Sequence, residues 1–150
     1  MPSLLRAALA LLLSLLAFWP LAQPAEASLF HFEGPVPPDL GVRAGQLASC
    51  GSPAHCSRAD WPVNDPQAAL ARLMPVVLSM EGVEIVETDA GYLHATATSK
   101  IFGFVDDLEL FADEQAGVLQ ARSVSRLGDS DLGVNAQRLE RLREALDSLD

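Results

Sequence analysis

Residues 83–126 read VEIVETDAGYLHATATSKIFGFVDDLELFADEQAGVLQARSVSR, and their period decides the fold. Alternation at every second residue predicts strands over 83–89, 92–99, 101–111 and 118–126, because successive side chains on a strand point to opposite faces. Asp89-Ala90-Gly91 and Asp113–Gly117 read as turns. Strands joined by links this short make an antiparallel meander.

On both sides of this stretch the period changes to 3.6. Upstream, Asp65 is an N-cap and Pro66 sits at the first helical position, where its missing N–H is not needed. Leu70, Leu73, Val77 and Met80 then share one helical face. Pro75 is expected to kink or shorten this helix, and Gly82 to close it. Downstream, residues 134–149 form a second helix with Leu139, Leu142, Leu146 and Leu149 as its stripe. Arg138, Glu140, Arg141 and Glu144 are expected to face away from that stripe. The class is therefore α+β: a four-stranded antiparallel meander covered by two amphipathic helices, over residues 66–150. Residues 28–65 hold Gly34, Pro35, Pro37, Pro38, Gly41 and Gly45, which preclude a long helix or a central strand. Apolar residues still recur there, at Leu29, Phe30, Phe32, Leu40, Val42, Leu47 and Trp61. This reads as an extended N-terminal arm pinned to the domain.

The first 27 residues have another purpose. Arg6 precedes an apolar run from Ala7 to Trp19, 13 residues long, or roughly 20 Å as a helix at ~1.5 Å per residue. That is too short for a bilayer core of about 30 Å. Pro20 and then Ala25-Glu26-Ala27 follow, completing the pattern of a secretory signal peptide cut after Ala27. No membrane span is expected after its removal. The chain has 20 Asp and Glu against 10 Lys and Arg, a formal net charge of −10. Such a chain is repelled by phosphate, which excludes nucleic acid as a partner.

Three local patterns could carry chemistry. Cys50-Gly-Ser-Pro-Ala-His55-Cys56 places two cysteines around a tight turn. In an exported chain oxidation is the default, so a disulfide is expected. Cys50, His55 and Cys56 as zinc ligands would lack a fourth and match no common structural spacing; no metal is assigned. In the second pattern, Asp106 falls in a row with Phe102, Phe104, Leu108 and Leu110, and so should be buried and paired. Asp107 falls on the opposite face with Glu109, where water is expected to reach it. Pointed apart, these acids are not a catalytic dyad. The third pattern is Arg122-Ser123-Val124-Ser125-Arg126, followed by Gly128, Asp131, Gly133 and Asn135. Arg122 or Arg126 is expected to neutralise Asp106, with Asp131 or Asn135 capping the last helix. The alternative is an anion-binding or enzymatic site built on Asp106, Arg122, Ser125 and Arg126. No G-x-S-x-G elbow accompanies the serines. No phosphate loop or dinucleotide fingerprint is present. No catalytic residue and no cofactor is assigned.

LASCGSPAHC at 47–56, YLHA at 92–95, FVDDLEL at 104–110 and RSVSRLGDSDLGVNAQR at 122–138, in that order, resemble the family of domain of unknown function 1499 over about residues 40–146. The resemblance implies a small domain of bacteria, including cyanobacteria, and of plant plastids, with no established activity. Its signature positions fall here on Cys50, Cys56, Asp106, Asp107, Arg122, Ser123, Ser125, Arg126, Gly128, Asp131, Gly133, Asn135 and Arg138. His55 departs from it, since Asn is usual there. The expectation is an exported accessory or binding protein, not an enzyme, in a periplasm or thylakoid lumen. Its partner would be a protein or a small anionic ligand.

Overall fold

A computed structural model describes residues 30–149, so the expected signal segment lies outside the described residues. In chain order the elements are β1 (Cys56–Pro62), α1 (Pro66–Ser79), β2 (Val83–Asp89), β3 (Tyr92–Thr98), β4 (Val105–Asp113), β5 (Val118–Ser125) and α2 (Val134–Leu149). The sheet has five strands in the order β1-β5-β4-β3-β2, all neighbours antiparallel. This corrects the four-stranded meander. The extra strand comes from the arm: Cys56-Ser-Arg-Ala-Asp-Trp-Pro62 pairs along β5 from Cys56↔Val124 to Pro62↔Val118. Pro62 lacks an N–H, and here it ends an edge strand, where none is needed.

Asp65 caps α1 by accepting from the Ala68 N–H at 2.8 Å, with Pro66 in the first turn. The helix runs through Pro75 to Ser79 instead of ending there. Both helices cover one face of the sheet. Leu70, Leu73, Val77, Leu139, Leu142 and Leu146 pack there on Leu93, Leu108, Leu110 and Leu119. Burying apolar area at about 25 cal/mol per Å² makes this layer the main stabiliser of the fold.

The opposite face is not wet. Arm residues from Glu33 to Leu47 lie across it, held by hydrogen bonds to β4 and β5 side chains. Asp107 and Glu109, expected to meet water, are both 0% exposed. Alternation placed them correctly opposite Asp106 and Leu108, but a polar residue on a sheet face meets water only if nothing covers that face.

Two further corrections follow from register. β4 begins at Val105, so Phe102 and Phe104 precede the strand and do not extend the Asp106 row. They sit with Phe30 and Phe32 in an exposed aromatic cluster, with neighbouring ring centroids 5.5–6.2 Å apart. And Asp106 lies opposite Ser125, whereas Arg122 lies opposite Glu109. The arginines of β5 therefore project to the arm side, away from Asp106.

Candidate functional site

The sequence-predicted residues separate into two polar clusters, one on each face of the sheet. The helix-side cluster joins β4, β5 and the start of α2. Arg138 Nη2 donates to Asp106 Oδ2 at 2.8 Å, and its Nη1 donates to Ser123 Oγ and Asn135 Oδ1, each at 2.7 Å. Ser123 Oγ donates to Asn135 Oδ1 at 2.6 Å, and Asn135 Nδ2 donates to Ser125 Oγ at 2.9 Å. Arg138 thus replaces Arg122 and Arg126 as the partner of Asp106, and it is buried rather than turned to solvent. Its position foretold this: Asn135 and Arg138 precede Leu142 by seven and four residues, on the helix's buried stripe.

Loop geometry sets the start of α2. Asp131 accepts from the Gly133 and Asn135 N–H groups at 2.8 and 3.0 Å. Partial burial opposes ionisation of Asp131, but those two backbone bonds outweigh it and hold its carboxyl below the ordinary value. The loop also leans on the cysteine ring. Ser125 N donates to the His55 carbonyl at 2.9 Å, Asn135 Nδ2 donates to the same oxygen at 3.2 Å, and Asp131 N donates to the Ala54 carbonyl. Cys50 and Cys56 form the expected disulfide, with Cα atoms 5.5 Å apart. Neither sulfur is then a thiolate for metal, and among the described residues no group of His, Cys, Asp and Glu side chains is arranged to hold an ion.

The arm-side cluster is ionic. Arg126 donates to Asp107 through Nε and Nη2 at 2.8 and 2.9 Å, and His94 Nε2 lies 2.8 Å from Asp107 Oδ1. Burial alone would raise the Asp107 pKa; the hydrogen bonds from Arg126 and His94 outweigh it and hold the carboxyl below its ordinary value. The bond to Asp107, against the cost of burial, raises the Arg126 guanidinium in turn. One strand step away, Glu109 accepts from Arg122 Nη1 at 2.8 Å, Tyr92 Oη at 2.9 Å and the Gly41 N–H at 2.7 Å. Burial, and then the Glu109 charge, push the Tyr92 phenol far above its usual range. Arm carboxylates complete both arginines: Asp39 bonds Arg122 at 2.8 Å and Glu33 bonds Arg126 at 3.1 Å. Gln120 joins in by accepting from the Leu47 N–H and from Arg58.

This division decides what each cluster can do. Asp106 and Ser125 lie on one face, and Arg122 and Arg126 on the other, so the four do not converge on one ligand. On the arm side four carboxylates surround two guanidiniums, which leaves the cluster short of positive charge for an anion. A hollow of about 350 Å³ opens there between Pro35–Asp39 and β5. On the helix side, a cleft of about 450 Å³ lies between α1, α2 and the β3–β4 turn, with Asp106 and Arg138 in its wall. Lys100, Arg141, Glu81 and Gln137 stand around the same cleft. Sequence reading missed His94, Tyr92 and Gln120 as members of the arm-side cluster and Arg141 as a member of the cleft. For the first three the signal was a polar residue at every second position of a central strand.

No helix among the described residues is long and apolar enough to cross a membrane. Neither the curated proteins nor the solved structures contain a match to this chain. One family does match: across residues 44–146, which take in all five strands, α1, most of α2 and the helix-side cluster, the chain fits the family described as protein of unknown function (DUF1499), and it belongs to that family.

Proposed function

We propose that the chain is an exported, non-catalytic binding domain of a periplasm or thylakoid lumen. The observation that carries the non-catalytic part is saturation. Ser123, Ser125, Asp106 and Asp107, the side chains a reaction would draw on, are bonded to Asn135, Arg138, Arg126 and His94. A nucleophile needs a free base within reach, and a general acid needs an open path to substrate. Export is supported by the signal pattern of residues 1–27 and by the disulfide, which persists in oxidising compartments.

Both parts are tested on the same preparation. Intact mass of the protein recovered outside the cytoplasm should correspond to a chain starting at Ser28, less two hydrogens for the disulfide. A retained Met1 overturns cleavage after Ala27, two thiols alkylated without reduction overturn the disulfide, and recovery of the protein in the cytoplasm alone overturns export. Asp106→Ala and Ser123→Ala should each lower the melting temperature, since the first removes the carboxylate that accepts from Arg138 Nη2 and the second removes an acceptor of Arg138 Nη1 and the donor to Asn135 Oδ1. If Asp106→Ala melts like the parent and yet abolishes function in the cell, Asp106 serves chemistry and the binding reading falls.

A further inference from the structure

We infer, building on the binding role above, that the cleft between α1, α2 and the β3–β4 turn takes a monoanion with an apolar tail, such as a medium-chain carboxylic acid. Charge points to the anion. In a chain of net charge −10, three cations border this cleft against two acids; Lys100 pairs with Glu81 at 3.1 Å and Arg138 with Asp106 at 2.8 Å, which leaves the charge of Arg141 in excess. Arg141 makes no ion pair among the described residues. Arg138 is fixed in place by Asp106, Ser123 and Asn135, and those contacts engage three of its hydrogens. A guanidinium carries five. Two donors therefore remain on a rigid group that borders the cleft. Arg138 and Arg141 are three apart on α2, so they share a helical face and can grip one head group together.

Chemistry of the walls points to the tail. Val76, Met80, Val83, Ala97 and Leu142 line the same cleft. An inorganic anion would leave that surface unused, and a neutral apolar molecule would leave Arg141 unanswered. A volume of about 450 Å³ falls within the range of about 300–1,000 Å³ found for small-molecule sites. The arm-side hollow does not compete for such a ligand, because its arginines are already outnumbered by carboxylates.

Titration of the folded chain with octanoate, octan-1-ol and acetate, followed by calorimetry and by methyl NMR, separates head from tail. Octanoate should bind and shift the Met80, Val83 and Leu142 methyl signals, with octan-1-ol and acetate each at least about tenfold weaker. Arg141→Glu should weaken octanoate about fivefold or more, leaving octan-1-ol binding and the melting temperature unchanged. Val134→Asp, at the mouth in the first turn of α2, should do the same without loss of fold, since an acid is favourable at a helix start. The inference is overturned if octanoate leaves the cleft methyls unmoved, if octan-1-ol binds as tightly as octanoate, or if folded Arg141→Glu binds octanoate like the parent. Neither substitution touches Asp106, Asp107 or Ser123. A negative result here therefore leaves the export and saturation tests to be judged by their own outcomes.

Discussion

Asp107→Ala tests the arm-side cluster most directly. Its carboxylate is 0% exposed and takes three hydrogen bonds, two from Arg126 and one from His94. Truncation leaves the Arg126 guanidinium, whose side chain is 5% exposed, with Glu33 as its remaining carboxylate. Glu33 is 58% exposed and offers one contact at 3.1 Å, so water screens it. Breaking a buried ion pair by removing one partner costs about 3–5 kcal/mol. With total stabilities of about 5–15 kcal/mol, that is roughly a fifth or more of what holds the fold. For a domain of this size it corresponds to a fall in melting temperature of roughly 10–20 °C. The sequence alone argues otherwise: a water-facing Asp107 would cost well under about 1 kcal/mol. Asp107→Leu combined with Arg126→Met should recover much of the loss, because removing both charges leaves neither unpaired. Calorimetry of the parent, the single variant and the double variant reads all of this, with the exposed helix position Glu144→Ala as control. A melting temperature for Asp107→Ala within about 2 °C of the parent would refute the reasoning.

Acid should act through the same group. Asp107 and Asp131 both titrate below their ordinary value, so their contribution is complete above about pH 4 and is lost as pH falls through the depressed folded values. The melting temperature should therefore drop below about pH 4, less steeply in Asp107→Asn; equal slopes would count against the cluster. The glycines offer an independent check on packing. Gly82 has φ +71° and a Cβ there would collide with the Thr98 carbonyl, whereas Gly117 has φ +65° and open space around it. Gly117→Ala should cost about 1–2 kcal/mol for the left-handed backbone alone, and Gly82→Ala clearly more. Equal urea midpoints for the two would show that the close approach of β3 to Gly82 does not matter.

Much of the frame was legible because it is encoded locally. Asp65-Pro66 announces a helix start, the leucine stripe of residues 139–149 announces an amphipathic face, and the 83–126 alternation announces strands. The fifth strand was hidden by its surroundings. Ala59 and Trp61 alternate with Arg58 and Asp60 as an ordinary strand would, but Pro62 and the Gly/Pro-rich run before it argue for coil. The arm-side cluster was hidden for a different reason. Its bonds join Gly41 to Glu109, Leu47 to Gln120 and Glu33 to Arg126, spans of 68, 73 and 93 residues. No local pattern specifies which segment will cover a sheet face. Arg138 lay between these cases: its place on the leucine stripe was visible, but a charge on that stripe was assigned to solvent.

The arm's position separates two properties that usually fail together. Opening the helix side would bare Leu73, Leu108 and Leu142, the kind of apolar surface on which chains stick to one another. Peeling the arm away would instead uncover Asp107, Glu109, Arg122 and Arg126, which hydrate readily and repel further apolar contact. A molecule nicked between the arm and Cys56, or one whose arm detaches in thermal motion, is therefore weakened without becoming adhesive. Aggregation should track loss of the helical layer, and solubility should outlast the arm.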